Sequence, residues 1–129
     1  MPVELKVLGF AALLQFVQFI LMAVPVNVQL GPAYTGGSRD EEKRATGVAG
    51  RLKRAMENHF EGLILFTIAV IVVVLSDASS SVTETCAWTY LAARVLYIPA
   101  YASGIFLVRS LIWSVGFVAT FVMLWVTLF

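Results

Sequence analysis

Two groups of polar residues in this sequence are spaced for helices and rich in groups that hold anions. Arg51, Arg54, Asn58 and Glu61 follow one another at intervals of three, four and three residues, which sets them along one helical face. Arg94, Tyr97 and Tyr101 follow at three and four, with Tyr90 extending the stripe. A guanidinium presents a fixed fork of donors that suits a carboxylate, and Asn and Tyr add neutral hydrogen bonds. Arg54, Asn58, Tyr97 and Tyr101, with Arg109 as a further cation, therefore suit a pocket for a small anionic ligand carrying several hydrogen-bonding groups. Glu61 and Arg94 can equally form an ion pair that only fixes how two helices meet. Arg109 can equally be a membrane anchor whose stem snorkels to the interface.

The elements that carry these residues follow from the composition. Of 129 residues 60% are hydrophobic and only 13% charged, and the mean hydropathy is +0.88. A soluble globule of this size has too little interior to hide that much apolar surface. A net charge of +1 excludes an electrostatic nucleic-acid binder. A single cysteine excludes a disulfide framework and a thiolate zinc cluster. The sequence is that of a small integral membrane protein: all-α, a four-transmembrane-helix bundle in one domain.

Charge-free runs locate the spans. Residues 7–28 and 110–129 carry no charge, 62–76 carry none, and 85–108 are interrupted only by Arg94. The predicted spans are 7–29, 56–76, 83–108 and 110–129, each close to the ~20 residues a helix needs to cross a bilayer. The third and fourth are expected to join almost without a turn around Arg109. The connection 31–50 holds five of the nine glycines and the run Arg39-Asp40-Glu41-Glu42-Lys43-Arg44, and reads as a mobile solvated loop. With Arg51, Lys53 and Arg54 this side collects six basic residues, whereas 77–84 has none. The positive-inside rule puts the first loop in the cytoplasm and both termini on the opposite side. Lys6 counts against this and is outnumbered.

The two stripes then meet. At ~1.5 Å per residue, Glu61 lies about 21 Å from the outer end of its helix and Tyr97 roughly 18–22 Å from that of the next. Arg94 is a turn shallower but long enough to reach Glu61, and pairing is the cheapest way to keep two charges at such depth. His59 has no second ligand for a metal, so no metal site is expected. Cys86 reads as an inert small hydrophobe. Gln15 and Gln18 either hydrogen-bond across helices or reach the pocket. Pro99 leaves the Val95 carbonyl without its helical donor and should bend the third span. Trp88, Trp113 and Trp125 suit interfacial belts or lipid contact.

The string RLKRAMENHFEGLILF, followed by ARVLYIPAYASGIFLVRSLIW, resembles the MAPEG family, the membrane-associated proteins of eicosanoid and glutathione metabolism. The first is similar to that family's R-x-x-R-A-x-x-N-x-x-E signature and the second to its A-R-x-x-Y-x-x-x-Y signature. Together the strings cover about a third of the chain. The resemblance implies a homotrimer with thiol sites between subunits, and glutathione as thiol co-substrate on the cytoplasmic side. By position, Arg51, Arg54, Asn58 and Glu61 would belong to the glutathione site from the second helix, with Tyr97 and Tyr101 contributing from the third. Arg94 resembles the arginine that braces the glutamate, and Arg109 the catalytic arginine that stabilises the thiolate. Many members have proline shortly after the motif glutamate, and some have tyrosine directly after it; this chain reads Gly62-Leu63-Ile64.

The implied activity is that of a glutathione-dependent transferase or peroxidase. It would act on a lipophilic electrophile or lipid hydroperoxide that enters from the bilayer. The resemblance points to a bacterial member and hence an inner membrane. The family also includes a non-catalytic lipid-presenting protein, so the alternative is a lipid carrier or an accessory subunit of a membrane complex. A transporter is a weaker third reading, because no inverted repeat or broken-helix pair is visible.

Overall fold

The computed structural model describes residues 1–37 and 45–129. The charged run Arg39-Asp40-Glu41-Glu42-Lys43-Arg44, on which the reading of a mobile loop rests, lies outside the described residues. Those that are described form five helices and no strand: α1 (Val3–Leu30), α2 (Pro32–Thr35), α3 (Gly47–Leu75), α4 (Ser81–Ser103) and α5 (Phe106–Leu128). By length and composition α1, α3 and α5 can each cross a membrane. Helix α4 falls outside that class, because Glu84, Arg94 and a series of hydroxyl residues dilute its apolar content. Phe16, Phe19 and Ile20 on α1 and Leu111, Phe117 and Phe121 on α5 all face outward. Such unbroken apolar surface is what a lipid-immersed helix presents, and the chain is an integral membrane protein.

The sequence accounts for each helix end. Gly31, at φ +89°, stops α1, and Pro32 starts α2, where its missing N–H is no loss. Across the first connection Gln29 and Thr46 exchange two hydrogen bonds: Gln29 Nε2 donates to the Thr46 carbonyl at 3.1 Å, and the Thr46 amide donates back to Oε1 at 2.6 Å. Helix α3 ends in paired bonds from Asp77 N to Val74 O and Ala78 N to Val73 O, with Asp77 left-handed at φ +53°. That is a Schellman motif with Asp where Gly is usual. Ser80 and Thr83 cap α4 reciprocally, side chain to backbone in both directions. The α4–α5 joint is Gly104, left-handed at φ +78°, followed by Ile105. The break therefore comes before Arg109, which lies in the first turn of α5. Pro99 stays inside α4, and the helix runs on to Ser103.

Helix α4 packs against α1, α3 and α5, around a core of Val7, Ala11, Phe66, Ala69, Val70, Val73, Ala87, Tyr90 and Met123. Small residues let the backbones approach. A Cβ on Gly116 of α5 would sit 3.6 Å from the Ala93 methyl and 3.7 Å from the Tyr90 ring of α4. Phe66 and Tyr90 stack at 3.9 Å with their planes 6° apart.

Glu4 is fully buried at one end of the bundle. Its Oε1 accepts from Ser79 Oγ and from Thr83 Oγ1, both at 2.7 Å. The carboxylate thus ties α1 to the start of α4, where the helix dipole favours negative charge. Glu4→Ala would leave two hydroxyls without their acceptor at a cost of about 1–3 kcal/mol. Its thermal unfolding in detergent should shift downward, and Glu4→Gln should recover part of the loss.

Candidate functional site

Both motif stripes converge, and Arg94 is where they lock. The residue is only 3% exposed. Nε donates to His59 Nδ1 at 3.2 Å and Nη1 donates to Asn58 Oδ1 at 3.1 Å. Because Nδ1 accepts, the neutral ring carries its proton on Nε2, which donates to the Ala11 carbonyl of α1 at 3.1 Å. One connected line of hydrogen bonds therefore joins α4, α3 and α1.

The expected Glu61–Arg94 ion pair does not form. Asn58, His59 and Gly62 occupy the arc of α3 turned toward Arg94, whereas Glu61 sits about 60° from Asn58 on the other side and is exposed. The four-residue stripe was too coarse a guide to rotation about the helix axis. His59 takes the bracing role expected of Glu61, and sequence reasoning considered it only as a metal ligand. The one available clue was that a buried arginine needs acceptors and that His59 directly follows Asn58.

From Arg94 a ladder of rings and cations runs toward the α4–α5 joint. The Arg94 guanidinium lies 4.5 Å from the Tyr97 ring centroid. Tyr97 meets Tyr101 edge-on, with centroids 5.5 Å apart at 63°. The Arg109 guanidinium lies 4.7 Å from the Tyr101 ring and 5.1 Å from Phe106. Arg54 Nε donates to the Tyr101 hydroxyl at 3.3 Å. Each stacked cation is attracted by the ring face below it, which fixes its position while leaving N–H donors for other partners. Asn58, Tyr97, Tyr101, Arg109 and Trp113 line a cavity of about 450 Å³, within the roughly 300–1,000 Å³ usual for small-molecule sites.

Not every expected residue joins this cavity. Arg51 Nε is committed to the Ala102 carbonyl at 2.9 Å, where it satisfies an end-of-helix acceptor on α4. Glu61 lines a second cavity of about 340 Å³ between α3, α4 and α5, which shares Asn58 and Trp113 with the first. Gln15 and Gln18 line neither, and their buried amides have no partner among the described residues. The brace separates the roles of two neighbours. His59→Phe should lower stability in detergent by about 2–4 kcal/mol, since it removes the acceptor of a buried charge and the donor to Ala11. Glu61→Ala should stay within about 0.5 kcal/mol of the parent protein, as an exposed residue does. Equal melting shifts would return the brace to Glu61.

The family model of the MAPEG family matches residues 7–129. No curated protein and no solved structure gives a match. The matched region takes in both motif helices, the joint between α4 and α5 and every residue lining the two cavities, and on that extent the chain belongs to the MAPEG family.

Proposed function

We propose that this protein binds glutathione in the cavity between Asn58, Tyr97, Tyr101 and Arg109. We propose that it uses the thiol as a transferase or peroxidase on a lipophilic electrophile or lipid hydroperoxide. The observation that carries the reading is the pair of arginines held on Tyr101: Arg109 over its ring and Arg54 on its hydroxyl. Glutathione offers two carboxylates and an ammonium group, and the cavity rim offers two guanidinium groups with Glu61 exposed nearby. All four long helices cross the bilayer in this reading, with Tyr90, Arg94 and Tyr97 of α4 turned into the bundle. The protein is a homotrimer, the α1–α3 connection is cytoplasmic and both termini lie on the opposite side.

Bound glutathione supplies a thiol nucleophile. Arg109 contributes a fixed positive charge beside it, and the Tyr101 ring keeps that charge from swinging into water. The gain from ionisation alone is small. A thiol of pKa about 8.5 is ~3% ionised at pH 7. A two-unit reduction raises that share about 25-fold, while intrinsic nucleophilicity falls about 8-fold for a Brønsted slope near 0.45. Most of the acceleration must come from holding the thiol against a substrate dissolved in the membrane.

Titration of the purified protein with glutathione, read by thiolate ultraviolet absorbance, tests this directly. The wild type should give a stoichiometric thiolate signal. Arg109→Ala should lose the signal while glutathione affinity falls much less. Equal loss of both would remove the catalytic role of Arg109. Binding without any thiolate would favour a lipid carrier, and no binding at all would favour an accessory subunit.

A further inference from the structure

The end of the bundle where α3 begins carries cations that no carboxylate answers. Lys53 pairs with Glu57 at 3.7 Å, whereas Arg51, Arg54 and Arg109 have no acidic partner among the described residues. Arg54 and Arg109 are both held on Tyr101, beside the first cavity. Arg51 is held elsewhere. Its Nε donates to the Ala102 carbonyl, and a carbon placed on Gly104 would lie 3.8 Å from its Cζ, Nε and Nη1 alike. The guanidinium is therefore seated on the bare backbone of the α4–α5 joint. Nη1 and Nη2 donate to no group among the described residues, yet neither is closed off from the surface. A fixed, planar cation is left with four N–H donors free.

The chain that follows this cation is apolar and exposed. Ile105, Phe106, Leu107 and Val108 come directly after Gly104, and all four side chains are open, Leu107 at 76%. Arg51 and this apolar run therefore share one level of the bundle. In an integral membrane protein, a helix end with basic and apolar groups together lies where headgroups give way to acyl chains. A phosphodiester offers two oxygens that match the guanidinium fork. The diacylglycerol attached to it would meet Ile105, Phe106 and Leu107. A zwitterionic headgroup fits less well, because its ammonium adds a cation to an end that already holds Arg54 and Arg109.

We propose that Arg51 and the start of α5 form a binding site for an anionic phospholipid. Its phosphodiester sits on the Arg51 guanidinium, and its glycerol and acyl chains lie against Ile105, Phe106 and Leu107. The lipid supplies the countercharge and the acceptors that Arg51 lacks. The site is separate from the cavity assigned to glutathione, which Arg51 does not line.

The test is native mass spectrometry of the full-length protein, released from a neutral detergent after mixing with equal amounts of dioleoylphosphatidylglycerol and dioleoylphosphatidylcholine. The protein should retain the anionic lipid severalfold more than the zwitterionic one, and the preference should shrink as salt is raised. Arg51→Gln should reduce retention of the anionic lipid about fivefold or more, as loss of one basic residue at a charged membrane surface does. Arg51→Lys keeps the charge without the fork and should fall between. Leu107→Glu alters an exposed side chain outside the core and should also cut retention, by repelling the phosphate. Equal retention of the two lipids would overturn the proposal, as would an unchanged preference in Arg51→Gln. If that variant does not fold, Leu107→Glu decides in the same way. Displacement of the lipid by saturating glutathione would put the phosphate in the first cavity and overturn the proposal too. Equal retention of glycerol 3-phosphate would do the same, by showing a phosphate site that does not read the lipid.

Discussion

A positive charge kept almost out of contact with solvent has to be held by something, and in this bundle Arg94 is held by neutral groups. His59 and Asn58 accept its hydrogen bonds, and His59 is itself fixed by a backbone carbonyl of α1. A neutral brace avoids placing a second buried charge in the same place, with its own desolvation penalty. It also sets the rotation of α3 and α4 about their axes, because only one rotation presents both acceptors. Tyr97 and Tyr101 then follow on α4, and Arg109 follows across the joint. The position of the cavity depends on this single guanidinium.

Helix α4 is the least apolar of the long helices, and like α3 it touches all three others. These two facts belong together. A helix packed on three neighbours can bury tyrosines and an arginine on its inner face at depths where a fully lipid-facing helix could not. The outer helices α1 and α5 show the opposite balance, with large apolar side chains turned outward.

Much of this was legible in the residues. Three of the four apolar runs fall almost wholly within one long helix while 85–108 crosses the Gly104 joint, and the spacing of Arg51, Arg54, Asn58 and Glu61 does put all four on α3. The Arg54–Tyr101 contact joins two residues expected in one pocket. What remained hidden depended on angles and on distant partners. Periodicity assigns a residue to a broad face and cannot separate Asn58 from Glu61 when the helix turns by about 60°. His59 could not be recognised because one of its partners is a main-chain carbonyl, which has no side-chain signature. The burial of Glu4 left no local signal, since its hydroxyl partners lie in the α3–α4 connection and at the start of α4. Gly104 was one glycine among several until its left-handed backbone showed where α4 had to end.

The α5 segment that carries Arg109 and Trp113 is pinned at both ends by glycine. Gly104 makes the abrupt joint with α4, and Gly116 brings α5 against Ala93 and Tyr90. Between them lie about 18 Å of rise, and Arg109, Ser110 and Trp113 on that stretch face the cavity with Tyr97 and Tyr101 of α4. The width of the intervening space is therefore set largely by the backbone, through the left-handed joint at Gly104 and the packing of α5 on α4. Side-chain changes along its walls would alter what is recognised. The girth of the ligand admitted would change only if the joint or the crossing point moved.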